Sequence, residues 1–252
     1  MFDLSGHTAL VTGGNGGIGQ AFARGLLRCG ASVAIWGRNE GKNERALEEL
    51  RQISPNVQAF VCDVTDADAT EAAFAKTMEA MGPVHSCFAN AGGAGPQGSF
   101  LKTTDEQWAD GWALNVGSVI NTYRPFVAAL RAQELPGKLI VTSSIAGTMG
   151  TGFAASYATT KAAVLGLTRA LAVEFGRSGI TANALLPGYV ESDLTASQDE
   201  SFTKMALRRS TIGRLGSVED MEGVAVFMAS RHSDYMNGQG IVMDGGHTIF
   251  PA

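Results

Sequence analysis

The chain has 252 residues, a formal net charge of −5, 45% hydrophobic and 17% charged residues. Apolar content at that level excludes a disordered chain, and 32 glycines without a G-X-Y period exclude collagen. The acidic balance argues against nucleic acid or an anionic membrane as the main partner, and no apolar run approaches the ~20 residues of a membrane span.

Met1–Gly6 carries neither a basic stretch nor an apolar core of signal-peptide length. His7–Val11 then reads as a buried strand and Ile18–Cys29 as a helix. Ser32–Trp36 is strand-like, and Lys42–Ile53 has helical periodicity. Val57–Val61 is a strand, Ala67–Met81 a helix and His85–Ala89 a strand. A long helical region follows to about Arg131, with breaks expected near Gly111 and Pro125. Lys138–Thr142 is a strand, Tyr157–Phe175 a helix and Ile180–Leu186 a strand. The stretch 192–211 is polar and mixed, Val218–Ala229 is helical, and Gly240–Met243 is a last strand.

Seven apolar strands alternating with helices predict a doubly wound parallel sheet, Rossmann-type, covered by helices on both faces. No linker or repeat interrupts the pattern, so residues 1–252 read as one domain, with a substrate lid near 191–212. Cys29, Cys62 and Cys87 lie in apolar segments without metal-type spacing, which reads as reduced thiols in a cytoplasmic protein. Four scattered histidines offer no zinc pair.

The first strand runs into Thr12-Gly13-Gly14-Asn15-Gly16-Gly17-Ile18-Gly19. Glycines at a strand-to-helix turn let the backbone approach a pyrophosphate, and the helix N-terminus offers free N–H groups to it. The spacing differs from G-x-G-x-x-G, and a turn needing only positive φ has the same composition. An acid at the end of the second strand would bind the ribose hydroxyl of NAD. Here the chain reads Trp36-Gly37-Arg38-Asn39, and Arg38 suits a 2′-phosphate instead. NADP(H) is therefore expected, with NAD as the alternative.

Tyr157 and Lys161 stand four apart at a helix start, so phenol and ammonium share a face. A nearby cation should favour phenolate and lower the tyrosine pKa.

With these motifs in order, the chain resembles the short-chain dehydrogenase/reductase family, single-domain branch, over residues 5 to 246. The resemblance rests on Thr12–Gly19, Asp63-Val64, Asn90-Ala91-Gly92, Asn115, Ser144, the Tyr157/Lys161 pair and Pro187-Gly188-Tyr189-Val190, with Ser192 where Thr is common. It implies that Gly13, Asn15, Gly17, Ile18, Gly19 and Arg38 bind cofactor. Asp63, Val64, Asn90, Ala91, Gly92, Pro187, Gly188 and Val190 are implied to do the same. Tyr157 would be the general acid/base, Lys161 its modulator and a ribose ligand, and Ser144 the holder of the substrate oxygen. Asn115 would keep a helix kink and a proton-relaying water. Ser144 is preferred to Ser143 because it precedes Tyr157 by 13 residues, as in the family, and adjacent strand residues face opposite ways.

Substrate contacts are expected from Ser144, Phe153, Tyr157 and Tyr189, with Gly93–Gly95, Thr151, Phe202 and Met205 nearby. Arg208 and Arg209 either meet an acidic substrate or face water. The implied activity is hydride transfer between NADP(H) and a small secondary alcohol or ketone. Two alternatives stay open: a 3-oxoacyl-(acyl carrier protein) reductase, whose acidic carrier should need a basic rim, and a catalytically silent NADP-binding regulatory protein. Small residues on the Tyr157–Phe175 helix (Ala162, Ala163, Gly166, Ala170, Ala172) suit pairing across a twofold axis, as family members do. A homotetramer or dimer is expected, with no metal.

Overall fold

The computed structural model describes residues 2–191 and 200–249, Phe202 by its backbone alone. Its strands are β1 (Thr8–Thr12), β2 (Ser32–Gly37), β3 (Val57–Val61), β4 (Ser86–Ala89), β5 (Gly137–Thr142), β6 (Ile180–Pro187) and β7 (Gly240–Met243). They form one sheet in the order β3-β2-β1-β4-β5-β6-β7. Every neighbouring pair is parallel. The doubly wound sheet expected from the apolar runs is the sheet observed.

The apolar runs bury both faces because successive strand side chains point opposite ways. Leu10 of β1 joins Ala34, Trp36, Phe126 and Leu139 in one core layer. Its neighbour Val11 joins Phe22, Ile35, Ile140 and Leu185 in the other. Full burial of a side chain of this size contributes about 1.5–3 kcal/mol. Truncating Leu10 to alanine would therefore cost about 2–5 kcal/mol, the cavity included.

The helices are α1 (Gly17–Arg28), α2 (Glu40–Arg51), α3 (Ala67–Met81), α4 (Asp105–Trp112), α5 (Ser118–Ala132), α6 (Ala155–Phe175), α7 (Glu200–Arg209) and α8 (Glu222–Ala229). Asn39 starts α2 by accepting from Lys42 N at 2.9 Å, and Asp66 starts α3 by accepting from Ala69 N at 3.0 Å. Helix α1 lies close on α8: a Cβ at Gly25 would sit 2.8 Å from the Glu222 carbonyl oxygen. Arg24 Nε donates to Glu222 at 2.9 Å across the same contact.

The expected long helix breaks elsewhere than its composition indicates. α5 runs through Pro125, and the interruption is a π-helical turn, Ala113–Gly117, between α4 and α5. The Val218–Ala229 helix is likewise two pieces, a 3₁₀ turn at Val218–Met221 and then α8. The polar stretch 192–211 contains α7, which begins at Glu200. Residues 192–199, Ser192 among them, lie outside the described residues.

Candidate active site

The strand order reverses between β1 and β4, and a crevice opens there at the carboxyl ends of the strands. It is a cavity of about 370 Å³, lined from the β1–α1 turn, the loops after β4 and β5, the start of α6 and the end of β6. Among the expected residues, its wall includes Gly13, Asn15, Gly17, Ile18, Asn90, Ala91, Gly92, Ser144, Tyr157, Lys161, Pro187, Gly188, Tyr189 and Val190.

The β1–α1 turn is built for close approach. Gly13 and Gly17 have φ of +62° and +49°. A Cβ at Gly19 would sit 2.2 Å from the Gly13 carbonyl oxygen, so only glycine closes this turn. Helix α1 starts after Gly16 with no side-chain cap and no acid in its first turn. Its unsatisfied N–H groups therefore face a cavity wall free of competing negative charge, which fits the pyrophosphate of a dinucleotide.

Asn90 braces this turn. Its Nδ2 donates to Thr12 O at 3.2 Å, and its Oδ1 accepts from Thr142 Oγ1 at 3.0 Å, linking β1, β4 and β5. Thr12 Oγ1 accepts from the backbone N–H groups of Asn90 and Ala91, each at 3.0 Å.

Lys161 is buried on α6 and donates Nζ–H to Thr142 O at 2.8 Å. Burial pushes its ammonium down to about 8. The Nζ stands over the Tyr157 ring, 5.7 Å from its centre. Ser144 lines the cavity beside Tyr157, close enough for its hydroxyl to act on the phenol, and its Oγ accepts from Ala146 N at 3.2 Å. Ser143 faces away: its hydroxyl donates to Lys161 O at 2.8 Å and so anchors α6.

The expected lowering of the Tyr157 pKa is not what this geometry produces. Burial pushes the phenol above its ordinary value, and the opposing effect of the Ser144 hydroxyl beside it is smaller. The ammonium sits above the ring face rather than at the phenol oxygen, which is why desolvation wins.

Asn115 lies behind the wall. Its Oδ1 accepts from Gly93 N at 3.0 Å, and its Nδ2 donates to Gly93 O at 3.0 Å and Thr160 Oγ1 at 3.2 Å. The π-turn provides the kink expected at this residue. A Cβ on Gly92 would sit 2.9 Å from Asn115 Oδ1 and 3.4 Å from Lys161 Nζ, so the strand-four loop threads between them.

Five other expected residues stand away from the cavity wall. Gly19 packs under the turn. Val64 is buried, and Asp63 accepts from Thr65 N at 3.0 Å. Arg38 is exposed beyond β2, close enough that its charge helps hold the Asp63 carboxyl below its ordinary value, after the Thr65 hydrogen bonds. Phe153 is 75% exposed with φ of +59°, and its carbonyl accepts from Gly98 N at 2.8 Å. It is a strained loop residue rather than a pocket wall, which corrects the expectation for it.

Sequence reasoning missed Gln97, Met149 and Ala154 of the wall, and Thr160 and Asn43 behind it. Gln97 and Met149 sit in loops after β4 and β5, where the crevice rule points but no motif marks individual positions.

The family model described as Enoyl-(Acyl carrier protein) reductase matches residues 13–248. Gluconate 5-dehydrogenase of Gluconobacter oxydans is 36% identical, over 99% of this chain and 97% of that protein. The mycobacterial 3-oxoacyl-[acyl-carrier-protein] reductase MabA, from Mycobacterium tuberculosis, is 32% identical over 95% of this chain and 92% of its own. The crystal structure of a gluconate 5-dehydrogenase from Burkholderia cenocepacia, in complex with NADP and tartrate, superposes with a TM-score of 0.93. It is 32% identical and covers 98% of this chain and 97% of its own.

The chain belongs to the short-chain dehydrogenase/reductase family. As a member of this family it is an oxidoreductase acting on hydroxyl and keto groups.

Proposed function

We propose that the protein interconverts a small secondary alcohol and its ketone with NADP(H), using Tyr157 as general acid and base. The observation that carries this is the convergence of Ser144, Tyr157, Lys161 and the glycine turn on the wall of one cavity. A bound nicotinamide dinucleotide supplies or accepts the hydride at the carbinol carbon. Gly13, Gly17 and the N-terminus of α1 hold its pyrophosphate, and Ile18, Ala91, Gly92, Pro187, Gly188 and Val190 shape the walls beside it. In reduction Tyr157 gives its phenolic proton to the carbonyl oxygen, and in oxidation it takes one back. Ser144 donates a hydrogen bond to that oxygen as charge develops on it. Lys161 replenishes the proton from the α6 side, and Asn115 keeps the helix kink and the relaying water in place.

Arg38 and Asp63 flank the far end of the cofactor groove, and Arg38 suits the 2′-phosphate of NADP(H). The NADP-bound structure agrees with that choice, and the relatives named for gluconate favour a polyhydroxylated substrate. A basic rim for an acidic carrier protein finds less support. Arg131 bonds Ser178 and Lys138 pairs with Asp234, before the amino ends of the strands and opposite the cavity.

The segment near 191–212 serves as the substrate lid of this single domain. The exposed residues Ala162, Gly166, Ala170 and Val173 of α6 support assembly of copies into a dimer or tetramer. Three free thiols, two of them buried, support a cytoplasmic location. No helix of the described residues is long and apolar enough to cross a membrane.

The test is steady-state turnover with NADP(H) and NAD(H) against polyols, sugar acids, simple ketones and a 3-oxoacyl thioester on its carrier protein. Turnover confined to the carrier-bound thioester would replace this reading with the carrier-dependent one.

A further inference from the structure

Behind Tyr189, which lines the cavity, stands a group of polar side chains that the alcohol–ketone chemistry does not use. Tyr189, after β6, lines the cavity beside Tyr157. Its ring stands edge-on to His247, with centres 4.8 Å apart and planes at 77°. His247 is 2% exposed, yet neither ring nitrogen has a hydrogen-bond partner among the described residues. A buried imidazole with both nitrogens unpaired is uncommon and calls for an explanation.

The turn bearing His247 is fixed. Asp244 accepts from Gly246 N at 2.8 Å and from Thr248 N and Oγ1 at 2.7 Å each, so its carboxylate is already satisfied. The carboxyl end of α7 is fastened to the same turn, with Thr211 N donating to Gly245 O at 2.9 Å. That contact brings the end of α7, with Arg209 as its last residue, to the turn that bears His247. Burial pushes the Tyr189 phenol up and the His247 imidazole down; the charge of Arg209 reaches both, opposing burial at Tyr189 and adding to it at His247, where Asp244 acts the other way. Arg209 is half-buried and makes no hydrogen bond or salt bridge among the described residues. Arg208 beside it is exposed.

We infer that Arg209, with the Tyr189 hydroxyl and His247, forms a subsite for a carboxylate on the substrate, making the preferred substrate a hydroxy or keto acid. This rests on the alcohol–ketone reading above and narrows it. A guanidinium pairs with a carboxylate through two parallel N–H bonds, and partial burial strengthens that pair. His247 donates its one N–H to the same anion. Asp244, the carboxylate of the same turn, does not compete, since its oxygens are engaged by the turn.

The test compares kcat/KM for gluconate and its uncharged primary amide, with NADP, in wild type, Arg209→Gln, Arg209→Lys and the control Arg208→Gln. Wild type should prefer the acid. Arg209→Gln should lose ~10–100-fold on the acid, mostly in KM, and little on the amide. Arg209→Lys should fall between, and Arg208→Gln should match wild type. Tartrate should inhibit reduction of an uncharged ketone by wild type and fail to inhibit the Arg209→Gln enzyme. Equal handling of acid and amide by wild type, with turnover intact, overturns the carboxylate subsite and leaves the alcohol–ketone reading standing. An equal loss on both substrates in Arg209→Gln also overturns the subsite. No turnover of any alcohol or ketone overturns both.

Discussion

Ser144 and Tyr157 line one cavity side by side, the serine just after a strand and the tyrosine in the first turn of a helix. That placement brings two hydroxyl donors to one part of the cavity, where a carbonyl oxygen can receive both. Tyr157→Phe removes the transferable proton and leaves the ring. It should keep dinucleotide binding, followed by fluorescence titration, and lower turnover by at least ~10²-fold. Ser144→Ala should cost about 10²-fold, chiefly in kcat, because the lost bond strengthens as charge develops on oxygen. Near-wild-type turnover by Tyr157→Phe would remove the proposed acid.

Asn115 joins the π-turn to the loop after β4 through two bonds to Gly93 and reaches α6 through Thr160. It is 2% exposed, so its replacement leaves buried partners unpaired. Asn115→Leu should destabilise by about 2–4 kcal/mol, measured by denaturant unfolding, and lower kcat as the Gly92–Gly93 loop moves against Lys161. Unchanged stability would mean that water replaces the amide.

The seven strands were legible because buried parallel strands read as continuous apolar runs, and the cavity because its glycines and the Tyr157/Lys161 pair are local patterns. Composition alone did not place the break at Ala113–Gly117; only the family resemblance implied a kink at Asn115. Gly111 and Pro125 attract a break by composition, yet the kink is held by Asn115 through contacts from distant chain segments. Phe153 is apolar and close to Tyr157 in sequence, but its φ of +59° turns it out to 75% exposure. The tyrosine pKa failed for a related reason. Spacing places Lys161 beside Tyr157, but burial, which spacing does not contain, acts more strongly on the phenol.

Gly37 occupies the place where an acid would select NAD, and the structure gives a steric reason for its absence. A Cβ there would sit 2.2 Å from Asn15 Nδ2 and 2.4 Å from Asn43 Oδ1. Those amides bond each other at 2.7 Å, and Asn43 Nδ2 donates to Gly37 O at 2.9 Å. Gly37→Asp alone should therefore destabilise the protein by about 1–3 kcal/mol without giving efficient NAD use. Arg38→Ala should lower the NADPH/NADH ratio of kcat/KM by ~10-fold or more. An unchanged ratio would dismiss Arg38 as the phosphate ligand.

Lys161 illustrates stability given up for chemistry. Burial lowers its folded-state value to about 8 from an ordinary 10.5, so the charged form is disfavoured in the fold at neutral pH. The corresponding penalty is about 3 kcal/mol before the bond to Thr142 O is counted. Lys161→Met should be more stable than wild type by about 1–3 kcal/mol at pH 7 and nearly inactive. The unfolded chain binds the extra proton between pH 8 and 10.5, so the stability gap should narrow as pH rises through that window. A gap that does not change with pH would exclude the ammonium as its source.

At the other end of the sheet, His7 Nε2 lies 2.9 Å from Ser86 Oγ, and the rings of His7 and His85 are 5.2 Å apart. His85 Nδ1 accepts from Thr8 N at 3.0 Å, so that nitrogen must be unprotonated. Burial first, then the charges of His85 and Lys138, push His7 down to about 4 from 6.5. Burial pushes His85 down as well. The unfolded chain therefore binds protons between pH 6.5 and 4 that the folded chain excludes, and stability falls as pH drops through that window. The loss attributable to His7 reaches up to about 3 kcal/mol at pH 4. His7→Gln keeps a polar group beside Ser86 without titrating. Its denaturant midpoint should be flatter than that of wild type between pH 4 and 6.5. Parallel pH profiles for the two proteins would place the acid sensitivity elsewhere.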